Sequence, residues 1–255
     1  MSNLGRPAAF DGPGAIMRIL PSLICLSLLA WPASGRAQAD GFRTLFDGES
    51  LAGWEGSPDA FRVVDGAIVA GTLEAEILAD EFLCTTEEFD DFELRLEARV
   101  TAGQIAGVQF RGRRVSGSTQ VAGYQADMGF LPGEWIPRLS DVTDIVTEEP
   151  YPLWGSLLDE YRPQASRYPD PTAPYWLIAV ADRAVVDSVL RPGDWNSVTI
   201  VARGPAIEIR LNGKKTIDYT ERDEVPRRGV ICVQIHSGPP SQAFYRDILI
   251  RRISR

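Results

Sequence analysis

Three short segments set an amide two residues before a charged or basic group: Gln109-Phe110-Arg111, Gln125-Ala126-Asp127 and Gln234-Ile235-His236. Side chains alternate faces along a β-strand, so in each segment the polar pair shares one face and the apolar neighbours share the other. The apolar partners are Val108 and Phe110, then Tyr124, Ala126 and Met128, then Ile231, Val233 and Ile235. A solvated sheet face ordinarily mixes Lys, Glu, Thr and Arg. These faces instead carry three amides with one each of Arg, Asp and His, which points to a shared concave site, with a solvated outer face as the plain alternative. Amides suit sugars, because each can donate to one hydroxyl and accept from another.

His236 is the only histidine in the chain and precedes Ser237-Gly238-Pro239-Pro240, at a strand end where side chains reach the rim of a sheet. An imidazole with its ordinary pKa near ~6.5 suits proton transfer at neutral pH. A fourth segment, Trp154-Gly155-Ser156-Leu157-Leu158-Asp159-Glu160, adds two carboxylates. Adjacent residues of a strand face opposite ways, so only one of Asp159 and Glu160 can join a given site.

The elements that position these residues read as strands. Phe92 to Val100 alternates apolar and charged residues over nine positions, the period of a strand with one face buried. Ile207, Ile209 and Leu211 alternate with Glu208 and Arg210 and run into Asn212-Gly213, a pair that tolerates the positive φ of a type I′ turn, so a hairpin returns through Lys214 to Tyr219. Further strands are expected at Phe61–Val64, Ala67–Thr72, Gly107–Arg111, Val121–Met128, Asn196–Ala202, Gly229–His236 and Phe244–Ile253, with a tight turn at Asp65-Gly66 and a short helical piece within Trp176 to Leu190. Residues 130–175 hold eight scattered prolines among acidic and aromatic residues and read as a long loop insertion, the kind of segment that often forms a binding edge. Many short strands joined by Gly, Pro and Asn turns predict an all-β fold, an antiparallel two-sheet sandwich.

Met17-Arg18, the apolar run Ile19 to Trp31 and Ala37-Gln38-Ala39 have the layout of a secretory signal, too short to span a bilayer, behind an upstream stretch that looks like a mis-start. Residues 1–39 are thus expected to be a leader and 40–255 a single domain, secreted or periplasmic and without a membrane span. Without the leader the chain holds 23 basic and 34 acidic residues, a net charge of about −11 that argues against nucleic acid as a partner. Cys84 and Cys232 lie in apolar strand-like segments and are expected to be two buried free thiols.

A resemblance follows from residues in order. Leu45-Phe46-Asp47-Gly48, Leu51-x-Gly53-Trp54, Val64-Asp65-Gly66, Asp91-Phe92-Glu93-Leu94, Gly107-Val108-Gln109-Phe110-Arg111, Gly123-Tyr124-Gln125-Ala126-Asp127, Trp154-Gly155-Ser156, Asp159-Glu160, Pro192-Gly193-Asp194-Trp195-Asn196, Leu211-Asn212-Gly213 and Gln234-Ile235-His236-Ser237-Gly238 resemble the 3-keto-disaccharide hydrolase domain family over residues 41 to 253. The resemblance implies a concanavalin-like jelly roll and action on glycosides with a ketone at carbon 3. About twenty extra residues between Asp127 and Trp154, and Leu158 where Tyr is common, depart from the family's pattern.

A ketone at carbon 3 acidifies the proton on carbon 2. A base removes it, the enolate expels the group on carbon 1, and water adds back to complete net hydrolysis. On this reading the catalytic residues are His236 as base, Arg111 as partner of the enolate oxygen, and Asp127 with Glu160 for proton delivery. Asp127, Glu160 and His236 are also candidates to hold a divalent metal ion. Substrate contacts are expected from Gln109, Gln125, Gln234, Tyr124, Trp154 and Asp159. The rival from another class is a non-catalytic, lectin-like carbohydrate-binding domain; a glucanase of the same fold is disfavoured because no Glu-x-Asp-x-Glu run occurs.

Overall fold

The computed structural model describes residues 40–101, 103–131, 149–160 and 175–254. The expected leader, and most of the 130–175 insertion, lie outside the described residues. In chain order the strands are β1 (Arg43–Thr44), β2 (Trp54–Glu55), β3 (Phe61–Val64), β4 (Ala67–Thr72), β5 (Glu81–Thr85), β6 (Phe92–Val100), β7 (Ile105–Arg114) and β8 (Val121–Leu131). They continue with β9 (Tyr151–Pro152), β10 (Leu157–Glu160), β11 (Tyr175–Ala179), then helix α1 (Arg183–Val189), β12 (Asn196–Arg203), β13 (Ala206–Leu211), β14 (Lys214–Thr220), β15 (Val230–Ile235) and β16 (Ser241–Arg252).

The strands form two antiparallel sheets. The first runs β14-β13-β12-β6-β16-β4-β3 with β1 beside β16; the second runs β11-β10-β8-β7-β15-β5-β2 with β9 beside β8. Their facing sides bury one apolar core, with Phe92, Leu94, Leu96, Ile200, Ile209 and Tyr245 from the first sheet against Val108, Phe110, Ala126, Met128, Val233 and Ile235 from the second. Tyr245 ties the layers by donating its hydroxyl to the Gln234 carbonyl at 2.5 Å. The period-two reading of residues 92–100 holds residue by residue, since every apolar member is buried. Asn212, with φ 47°, and Gly213, with φ 81°, turn the β13–β14 hairpin as the Asn-Gly pair predicts. Helix α1 is capped by Asp182, whose side chain accepts the Ala184 and Val185 backbone N–H groups. Among the described residues no helix is long and apolar enough to cross a membrane.

The cysteines depart from expectation. Cys232 on β15 lies directly opposite Cys84 on β5, and the two form a disulfide across a sequence separation of 148 residues. Each cysteine alone reads as a small buried apolar residue. Only the register between two strands distant in sequence reveals that they face each other.

Candidate functional site

Residues directly opposite on paired strands share a face, so the register lays out the outer side of the second sheet in rows. One row is Phe82, Gln234, Gly107 and Asp127; the next is Cys84, Cys232, Gln109, Gln125 and Leu158. Glu160, opposite Gly123, is on the same side as Gln125 and reaches back to it. His236 follows Gln234 by one step of the same face, with its backbone N–H bonded to the Ile105 carbonyl.

Hydrogen bonds knit the polar members together. The Gln125 amide nitrogen lies 2.7 Å from Asp127 Oδ1, 2.9 Å from Glu160 Oε1 and 3.1 Å from Gln234 Oε1. The Gln109 amide donates to the Val121 carbonyl at 2.7 Å and to Glu160 Oε2 at 3.1 Å. One NH₂ group has two hydrogens, yet three oxygens surround that of Gln125, so the cluster is short of one hydrogen. A proton on one of the two carboxyls would supply it. The electrostatics agree: burial raises the Asp127 carboxyl to about 7, and burial followed by the neighbouring charges of Asp127, Asp80 and Asp159 raises Glu160 well above the ordinary carboxylate range. Two buried acids with acidic neighbours both favour the protonated form relative to an exposed carboxyl.

Three atoms of this cluster are buried without a hydrogen-bond partner: Gln109 Oε1, Gln125 Oε1 and Gln234 Nε2. Buried polar atoms in proteins are almost always paired, so two open acceptors and one open donor side by side mark a place where a ligand's hydroxyls and carbonyl would bond.

Gly107 makes the arrangement possible. A Cβ there would fall 2.5 Å from Gln125 Cδ, so the amide lies flat across bare backbone. Gly107→Ala is expected to push Gln125 off its three partners, with a stability loss of about 1–3 kcal/mol from overpacking and a clear fall in ligand affinity or turnover, measured by denaturant unfolding and activity.

Four expected site residues lie elsewhere. Arg111 leaves the shared face because β7 carries a bulge between Phe110 and Arg113, and Arg111 itself adopts φ 52°. Its buried guanidinium donates to the Asp90 and Gly204 carbonyls and pairs with Asp91 at 3.2 Å, tying the second sheet to the end of the first. Gly229 permits this bulge, since a Cβ there would meet the Gly112 carbonyl oxygen at 2.3 Å. Tyr124 faces the core, stacked on Phe110, with its hydroxyl 2.6 Å from Glu221. Trp154 belongs to the same core. Asp159 stands opposite Tyr124 and Trp176 and so faces inward, while Glu160 takes the outer side. Of the two carboxylates the alternation allowed, the structure selects Glu160.

His236 sits at the rim. Its Nδ1 lies 2.7 Å from the Ser237 carbonyl and 3.6 Å from Asp80 Oδ1. Asp80 was not among the expected residues. It belongs to no motif and comes to His236 only through the β5–β15 pairing. Among the described residues no group of three His, Cys, Asp or Glu side chains is arranged to hold a metal ion, so the set Asp127, Glu160 and His236 is not assembled as a ligand shell. Surface depressions of about 480 and 450 Å³ lie elsewhere, around Arg113 and Arg114 and around Arg203 and Arg227, and neither borders the carboxyl pair.

The model of the 3-keto-alpha-glucoside-1,2-lyase-like domain matches residues 41–251. The chain belongs to this family. The match spans every strand of both sheets but the last residue of β16, and so includes the whole amide and carboxyl cluster. No curated protein matches the chain. Solved structures share the fold at low identity. A candidate glycosyl hydrolase of Parabacteroides distasonis superposes with a TM-score of 0.58 at 17% identity, over 86% of this chain and 97% of that one. The carbohydrate-binding module CBM66 of Bacillus subtilis gives 0.50 at 12%, over 78% and 95%. The exoplasmic/lumenal domain of VIP36, in a form with Ca²⁺ and Man₃GlcNAc bound, gives 0.52 at 10%, over 85% and 90%. The fold is that of lectin-like jelly rolls.

Proposed function

We propose that this protein is an exported enzyme that cleaves 3-keto-glycosides, 3-keto-disaccharides among them, by elimination followed by hydration. The observation that carries this reading is the buried Asp127–Glu160 pair, both carboxyls pushed up by burial, beside amides with open hydrogen-bonding atoms. Sugar binding alone needs the amides. It does not need two acids packed together away from water, an arrangement that costs stability and supplies a proton.

His236 takes the carbon 2 proton on Nε2, and the C–H electrons move into the ketone to form an enolate. Gln234 Nε2, the open donor two residues away on the same face, receives the enolate oxygen; it takes the part that the sequence suggests for Arg111. As the bond from carbon 1 to the leaving oxygen breaks, Glu160 protonates that oxygen. Water then adds at carbon 1 and a proton returns to carbon 2. Gln109 and Gln125 accept from ring hydroxyls through their open carbonyl oxygens.

The second reading is a carbohydrate-binding domain, favoured by the likeness of its fold to CBM66 and to the VIP36 domain. Turnover of a 3-keto-glycoside by the purified protein separates the two. Release of the leaving group, lowered by ~10²-fold or more in His236→Ala, supports the enzyme. Saturable binding of sugar without release, unchanged in that variant, supports the binding domain. Repeating the assay with a chelator shows whether a divalent ion assists.

A further inference from the structure

We propose that Asp80 is a positioning residue for His236, holding its ring in the tautomer that leaves Nε2 without a proton. This rests on the reading of His236 as the base.

Register places the two residues together. Gln234 is opposite Phe82 and Ile235 opposite Glu81, so one further step sets His236 opposite Asp80 on the same outer face. Asp80 Oδ1 accepts the Ser237 backbone N–H at 2.7 Å, and the same oxygen is 3.6 Å from His236 Nδ1. Around them the turn is fastened on both sides: Ile77 and Gly238 exchange two backbone hydrogen bonds of 2.9 Å, and Gln104 donates to the His236 carbonyl at 2.6 Å.

The tautomer follows from the partners of Nδ1. A carbonyl oxygen and a carboxylate only accept, and Nδ1 has one of each within reach. Nδ1 is therefore the protonated nitrogen of the neutral ring, and Nε2 keeps its lone pair. The side chain is about one-third exposed. When the ring takes a second proton, Asp80 faces the new charge. The other ionisable groups on this face are Asp127 on β8 and Glu160 on β10, both acidic, while Glu81, opposite Ile235, belongs to the other face. Asp80 is the one within direct reach of the ring.

A single histidine in the chain makes the test unambiguous, because every imidazole signal belongs to His236. Heteronuclear NMR of the protein labelled at histidine reads the tautomer without any substrate. The wild type should show the Nδ1–H tautomer at high pH. Asp80→Asn keeps an acceptor for the Ser237 N–H and removes the charge that favours a proton on Nδ1, so the Nε2–H tautomer should become populated, and kcat on a 3-keto-glycoside should fall with KM little changed. Asp80→Glu, which keeps the charge, should restore most of the Nδ1–H tautomer. An Nε2–H tautomer in the wild type, or an unchanged tautomer in Asp80→Asn, would overturn the proposal. Absence of turnover with the tautomer and its response to Asp80→Asn intact would overturn the enzymatic reading instead, leaving the contact between ring and carboxylate in place.

Discussion

Asp127→Asn is expected to make the protein more stable above neutral pH and nearly inactive. The native carboxyl titrates near 7 instead of at its ordinary 3.8 because the folded protein buries it away from solvent. A raised carboxyl pKa means that the native state prefers the protonated form. Its relative stability is complete below the unfolded pKa, declines as pH rises through the interval, and is lost above the folded pKa. Each unit of difference is 1.36 kcal/mol, so the loss between about pH 4 and pH 7 is on the order of 4 kcal/mol. Asparagine does not titrate and escapes that loss, while it can neither share nor transfer a proton. Denaturant unfolding at pH 5 and pH 8 should therefore show the variant gaining on wild type at the higher pH, and turnover should fall by ~10²-fold or more. Glu160→Gln should behave alike. A stability gain with lost activity is the signature of a group kept for chemistry at the expense of the fold. A variant that retained turnover would show that the carboxyl pair is only buried, and one that lost stability at pH 8 would show that its charge is structural.

What could be seen in the sequence, and what could not, divides along one physical line. Alternation of side chains is local, so the common face of Gln109, Gln125, Asp127 and Gln234 followed from the apolar residues between them. The structure gathers these four as that alternation implies. Interruptions of alternation are not local. Arg111 carries a positive φ uncommon for a side chain of its size, and what holds it there is a bulge that depends on Gly229 and a guanidinium site built by Asp90 and Asp91, just before β6, and Gly204, just after β12. Tyr124 and Trp154 stood within recognisable motifs, yet motif membership does not distinguish a residue that shapes the core from one that touches a ligand. Asp80 was invisible for the opposite reason: it stands in no pattern and acquires meaning only from the residue across the ladder.

The same dependence on register governs the second large effect, loss of the Cys84–Cys232 disulfide. Closing a loop of 148 residues removes chain entropy from the unfolded state worth about 5 kcal/mol on the loop-closure model. For a domain of about 200 residues, each kcal/mol moves Tm by roughly 2–4 °C, so reduction, or Cys84→Ala with Cys232→Ala, should lower Tm by ~10–20 °C. The consequence reaches the site as well. The bond joins β5 to β15 in the row next to Gln234, on the two strands whose pairing sets Asp80 against His236. Thermal unfolding with and without reductant, together with a count of reactive thiols after denaturation, tests this directly. The expected count is zero without reductant and two with it for the chain beginning near Asp40. Two reactive thiols in the unreduced protein would restore the free-thiol reading, and an unmoved Tm would show that the bond constrains nothing. A disulfide that stabilises the fold to this degree persists only in an oxidising compartment, so its confirmation would also support the export that the first 39 residues lead one to expect.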